Sequence, residues 1–150
     1  MSETQPSFSI EKLYVKDLSL EIPNAPQVFL EAESPQLDVQ VRNDATRFGE
    51  GLYEVVVTVT VTARAGDKTL FLAEAAQAGI FAIRGVPEGE MDPLLGIVCP
   101  TVVYPYVREV ISDLVIRGGF PPVVLAPVSF EALYAQRAQE LAEPKIELVQ

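Results

Sequence analysis

LYEVVVTVTVTARAGDKTLFLAEAAQAGIFAI, residues 52 to 83, holds two long alternating segments joined at Gly66-Asp67. In the first, Tyr53, Val55, Val57, Val59, Val61 and Ala63 form one unbroken apolar face, and Thr58, Thr60, Thr62 and Arg64 mark the other. That pattern suits a half-solvated antiparallel strand, because successive side chains of a strand point to opposite faces. Gly66-Asp67 is a hairpin signal. The second segment, Thr69 to Ile83, is apolar on both faces. Phe71, Ala73, Ala75, Phe81 and Ile83 point one way, and Leu70, Leu72, Ala76, Ala78 and Ile80 the other. A strand buried on both faces of a small antiparallel sheet needs a second layer. A subunit interface supplies one, and so do helices of the same chain covering both faces; the pattern alone leaves both open.

Working outward, Phe8 to Ile22 alternates as a strand, with Phe8, Ile10, Tyr14, Leu18, Leu20 and Ile22 on one face. Glu11, Asp17, Ser19 and Glu21 fall on the other, with Leu13 and Val15 among them, which predicts partial cover on both sides. Pro23, Pro26 and Pro35 punctuate an irregular connection, since proline cannot donate to a ladder. Leu37 to Arg42 reads as a shorter strand and Asn43 to Gly51 as a polar loop. Beyond residue 84, Asp92-Pro93 is expected to cap a short helical turn. Val107, Val110, Ile111, Leu114 and Val115 repeat at helical spacing, and Gly118-Gly119 ends that helix. Phe120 to Val128 is an extended apolar linker. Ser129 is the N-cap of a last helix carrying Phe130, Leu133, Tyr134, Ala138 and Leu141 on one face, with Pro144 as its stop. Strands followed by helices, with no internal repeat, predict an α+β fold. Residues 1–143 read as one domain and 144–150 as a short tail.

The composition removes several classes of function. The chain has 150 residues, 49% of them hydrophobic, enough for a packed core. Its net charge of -10 argues against nucleic acid and anionic membranes, which require a basic footprint. There is no histidine, so a catalytic triad, a histidine base and histidine metal ligation are excluded. Cys99 is the only cysteine and lies in apolar IVCPTVV, which predicts an inert packed thiol and no disulfide or zinc cluster. No phosphate-cradling glycine motif occurs, and Glu88, Glu90 and Asp92 lack the spacing of a calcium loop. Neither a cofactor nor a metal is expected. MSETQPSFS carries no basic and apolar signal regions. The longest apolar stretch, Pro93 to Val107, is broken by Pro100 and Pro105 and falls short of the about 18 residues of a membrane helix. A soluble cytoplasmic protein without direct membrane insertion is expected.

Four segments, in order, carry a family resemblance: YVKDLSLEIPNAPQVF (14–29), LYEVVVTVTVTA (52–63), LLGIVCPTVVYPYVRE (94–109) and RGGFPPVVLAPVSFEALY (117–134). Together they resemble the SecB family of bacterial protein-export chaperones. The resemblance implies a four-stranded antiparallel sheet with amphipathic helices on one face, assembled as a dimer of dimers. It implies a holder of unfolded precursor proteins that needs no ATP and delivers its clients to the SecA motor. For the client-binding groove it points to Phe8, Val28, Phe29, Tyr104 and Tyr106, completed by Phe120, Phe130, Leu133 and Tyr134. For docking the basic, zinc-bearing tail of SecA it points to Asp17, Glu21, Leu72 and Glu74. Ala73, Ala75, Gln77 and Ala78 become candidates for the seam of a homotetramer, the small residues letting apposed layers approach. The tail EPKIELVQ (143–150) departs from the family's longer, polar ends. A SecB-like chaperone dedicated to a toxin–antitoxin client keeps the groove without needing the docking acids. A small-ligand-binding α+β domain would use the same apolar cleft and ignore unfolded chains.

Overall fold

The computed structural model describes residues 5–31 and 33–142. Strands β1 (Ser7–Glu21), β2 (Gln36–Gly49), β3 (Leu52–Ala65) and β4 (Lys68–Arg84) precede helices α1 (Glu88–Pro93), α2 (Cys99–Arg117) and α3 (Phe130–Ala142). A π-helical turn, Leu94–Val98, joins α1 to α2, so the chain is helical from Glu88 to Arg117. The strands form one antiparallel sheet in the order β1-β4-β3-β2. Consecutive strands β1 and β2 are therefore the two edges, and residues 22–35 must travel from one edge to the other.

Register shows which residues share a face. Val55, Val57, Val59, Val61 and Ala63 stand opposite Gly79, Gln77, Ala75, Ala73 and Phe71 of β4. All of these lie on the face that α2 covers, and the valines are fully buried. The other face carries Thr58, Thr60 and Thr62 of β3 with Leu72, Glu74, Ala76, Ala78 and Ile80 of β4. Among the described residues cover is thus one-sided, and the helices do not sandwich the sheet. This corrects the reading of Ala73, Ala75 and Gln77 as seam residues. They are 0%, 1% and 5% exposed beneath the chain's own helix, where a second subunit has no access. Of the four, Ala78 alone is on the helix-free face, between Tyr14 and Val56.

Two irregularities reset β1. Its pairing steps from Ile10–Phe81 to Lys12–Ile80, and again from Val15–Gln77 to Asp17–Ala76, leaving Glu11 and Lys16 as extra residues. Each insertion reverses the side-chain parity. Phe8, Ile10, Leu13, Val15, Leu18 and Leu20 consequently share the helix-covered face, while Tyr14 is turned to the opposite one. Simple alternation had put Tyr14 with Phe8 and Leu13 against it. Leu70 is skipped in the same way between Ala63–Phe71 and Arg64–Thr69, and it is buried in the core instead of lying beside Leu72.

Three further elements differ from the sequence reading. β2 continues through Asn43–Gly49, paired to Val57–Leu52, where a loop is expected. Asp92-Pro93 closes α1 rather than opening it. Pro100 and Pro105 do not interrupt the helix: Pro100 comes just after the π-helical turn, and Pro105 faces outward. The resulting helix is long and apolar enough to span a membrane, but Val103, Val107, Ile111 and Val115 are buried as the lid of the sheet.

The helix ends are specified locally. At the end of α2, Gly119 N–H donates to Ile116 and Phe120 N–H to Val115, with Gly119 at φ 85. This is a Schellman cap, whose left-handed position suits a residue without a Cβ. Ser129 caps α3: its Oγ accepts the Ala132 N–H at 3.1 Å, as its position before the apolar stripe suggests. Pro144 and the tail lie outside the described residues.

Candidate functional site

The nine aromatic and apolar groove candidates separate into distinct places. At one end of the sheet, the crossing segment brings Phe29 onto Phe120, ring centroids 5.3 Å apart, and Phe120 onto Phe71 at 4.8 Å. The Schellman cap turns Phe120 back toward this cluster. Phe29 is half exposed, whereas Val28 beside it is buried. Phe71 was missed as a member because its strand pattern marks it only as core.

Tyr104 and Phe130 pack edge to face at 5.8 Å, 6% and 3% exposed. The Tyr104 hydroxyl donates to the Ala126 carbonyl at 2.6 Å, tying α2 to the linker before α3. These two rings are core, and neither is free to meet a ligand. Tyr134, on α3, opens onto a different place, a groove of about 370 Å³ between α3, β2 and the π-helical turn, and Leu133 lines an adjoining one of about 200 Å³. Asn43, Leu95, Gly96 and Arg137 line the larger groove with Tyr134. Gly96 is required there, since a Cβ would stand 2.7 Å from the Tyr134 ring. Asn43 and Arg137 escaped the sequence reading because Asn43 falls in the stretch taken for a loop. Phe8 lies at the far end of β1 against Phe81, centroids 5.4 Å apart, and Tyr106 stands exposed on the outer side of α2.

The helix-covered face is open at its flanks. Phe8, Ile10, Val15 and Leu18 of β1 are 40–47% exposed, and Leu37 and Val39 of β2 are 46% and 42% exposed. The reason is geometric: α2 packs on β3 and β4 and barely reaches β1. Such contiguous apolar strips on a small protein mark interaction surfaces.

The helix-free face has the opposite character. Asp17 pairs with Ala76, Ser19 with Glu74 and Glu21 with Leu72, so register brings all four docking candidates onto one patch of β1 and β4. Asp17 and Glu21 share a face because no insertion falls between them. On β3, Thr60 sits opposite Glu74, and its Oγ1 donates to Glu74 Oε2 at 2.8 Å. Farther up the same face, Lys16 Nζ donates to Glu54 Oε1 at 2.7 Å and the Tyr14 hydroxyl donates to Glu54 Oε2. Those two donors, Lys16 first, hold the Glu54 carboxyl below the usual carboxylate range. The bond to Glu54 is the main reason the Tyr14 hydroxyl is pushed up to about 12. The acids at 17, 21 and 74 have no such cationic partner among the described residues.

Burial pushes the Cys99 thiol up to about 12, and the side chain is fully enclosed. A thiol reacts as its thiolate. Ellman's reagent at pH 8 is therefore expected to leave native Cys99 unmodified and to titrate one thiol per chain in denaturant. Rapid labelling of the folded protein would contradict the buried placement. Among the described residues no group of three or more acidic or cysteine side chains is arranged to hold a metal ion.

Comparison with known proteins adds to this geometry. The family described as Preprotein translocase subunit SecB matches residues 1–141. A protein-export protein SecB of Methylobacillus flagellatus is 60% identical over 141 residues, covering 94% of this chain and 90% of its own. That of Chromobacterium violaceum is 56% identical over 141 residues, covering 94% of each. Among solved structures, a SecB-like chaperone of Mycobacterium tuberculosis, in complex with a peptide of the HigA1 antitoxin, superposes with a TM-score of 0.67 at 18% identity. It covers 81% of this chain and 90% of its own, a likeness of fold.

Proposed function

The chain belongs to the SecB family and is an export chaperone of the Sec pathway; from that premise we propose how its two sheet faces divide the task. The observation that carries the reading is the asymmetry of the sheet, apolar and half-covered on one side, acidic and helix-free on the other. Unfolded precursors bind the helix side, where Phe8, Phe29, Phe120, Leu133 and Tyr134 supply contact surface. Val28, Tyr104 and Phe130 lie beneath and hold that surface in shape. Each apolar side chain desolvated contributes about 1.5–3 kcal/mol. Many such contacts along one chain combine through effective concentration, with little dependence on sequence. Binding of this kind consumes no nucleotide and involves no cofactor or chemical step.

Docking uses the other side. Glu21 and Glu74 flank Leu72, with Asp17 farther along the same face, and together they receive the basic, zinc-bearing tail of SecA, charge speeding the encounter and Leu72 supplying an apolar anchor. Exposed Tyr106 and Ile116 on the outer side of α2 support assembly through the helices into a homotetramer. Residues 1–143 act as one domain, in the cytoplasm, where precursors await export.

Light scattering behind size exclusion tests the reading, with and without a slowly folding precursor. The expected species is a tetramer of about 65 kDa, four chains of 16.4 kDa each, that co-elutes with the unfolded precursor and not with its folded form. A monomer indifferent to the precursor would overturn it and favour a small-ligand cleft.

A further inference from the structure

We infer that Thr60 is a positioning residue for partner docking: it fixes the Glu74 carboxylate on the helix-free face so that one oxygen is presented to a cationic ligand. The inference rests on the docking reading above and deepens it. Glu74 projects from the central strand β4, flanked by Ser19 on one side and Thr60 on the other. A glutamate on an open sheet face has three rotatable side-chain bonds, and ordering it on binding opposes association. Here that ordering is done in advance. The Thr60 hydroxyl donates to Glu74 Oε2 at 2.8 Å, in a half-buried setting, and the bond leaves Oε1 for a ligand. Threonine suits the position on two counts. Its branched Cβ restricts its own rotamers and fits a strand, and its hydroxyl is a donor that adds no charge to repel a basic partner.

The same face shows what an unpositioned or neutralised acid would look like. Glu54, near its other end, is engaged by Lys16 and Tyr14 through both oxygens. It has little left to offer a basic peptide. Glu74 is held by a neutral donor through one oxygen only, so it is oriented without being neutralised. Hydrogen bonding that differs between two carboxylates of one surface thus decides where a cation settles.

The test is calorimetric titration of a basic, zinc-bearing peptide into the full-length protein at low salt, with Thr60→Val, Thr60→Ser and Glu74→Gln. Thr60→Val is close in shape and keeps the strand, and it is expected to weaken the peptide by about three- to tenfold, the effect of one side chain left to be ordered on binding. Thr60→Ser retains the donor and is expected to restore most of the affinity. In the Glu74→Gln background Thr60→Val should change nothing further, because the group it positions has lost its charge. A loss that persists in that background would assign Thr60 to direct contact and overturn the positioning role. Thr60→Val equal to wild type, with Glu74→Gln weakened, would also overturn it and leave the docking reading standing. If Glu74→Gln binds as wild type does, the docking reading itself fails.

Discussion

Asp17→Lys combined with Glu74→Lys is expected to abolish binding of the basic SecA tail while leaving client capture unchanged. Both carboxylates belong to the helix-free face, Asp17 opposite Ala76 and Glu74 two residues along β4. Reversing them removes two attractive charges and places two cations against a basic ligand. Like-charge contact at an interface costs several kcal/mol, which corresponds to a loss of about a hundredfold or more. The proposed client surface is across the sheet, where Phe8 has the opposite parity. Calorimetry with the SecA tail, alongside precursor binding by the same variant, separates the two. Unchanged affinity for the tail would sink the assignment; loss of both activities with retained fold would mean that the faces are not independent.

Ile111→Ala should produce a large loss of stability, since Ile111 is the largest fully buried side chain of α2. Ile111 is fully buried and lies in the core that α2 forms with the valines of β3. Removing a buried branched side chain forfeits its transfer energy and leaves a cavity, at a cost of about 2–5 kcal/mol. Urea unfolding at fixed protein concentration, which holds assembly constant, is expected to show a lower midpoint with an unchanged slope. A loss under about 1 kcal/mol would mean that the helix can collapse into the gap, and the account of α2 as the lid of the sheet would need revision.

What the sequence discloses follows from what alternation can encode. β3 and β4 are legible because each face of those strands keeps its character along the whole length, from Tyr53 to Ala63 and from Phe71 to Ile83. The second half of β2 is not. It is an edge strand with polar residues on both sides, Asn43, Asp44 and Thr46 among them, and only pairing with β3 makes it extended. In β1 the insertions at Glu11 and Lys16 carry no compositional mark, so the parity of Leu13 to Val15 is misread while that of Asp17 to Glu21, beyond both, holds. The acids could therefore be placed on one face from the sequence. The seam residues could not, because alternation says which side chains travel together and not what covers them. Tyr104 and Phe130 show the same limit for aromatics: a ring in the core and a ring in a groove have one composition, and only their burial, with the bond from Tyr104 to Ala126, distinguishes them.

Asp17 and Leu18 are neighbours in the chain, yet they project from opposite sides of the sheet, one toward the helix-free surface and one toward the apolar flank. The sheet is a partition one backbone thick. On the proposed division of faces, a precursor on one side and a motor on the other would share no atoms to contest, so the motor would gain nothing by competition and a three-component complex would be the expected resting state. Transfer of the cargo then depends on how quickly the precursor lets go of its many weak footholds, segment by segment, while the motor stands close enough to take up each freed length before it rebinds.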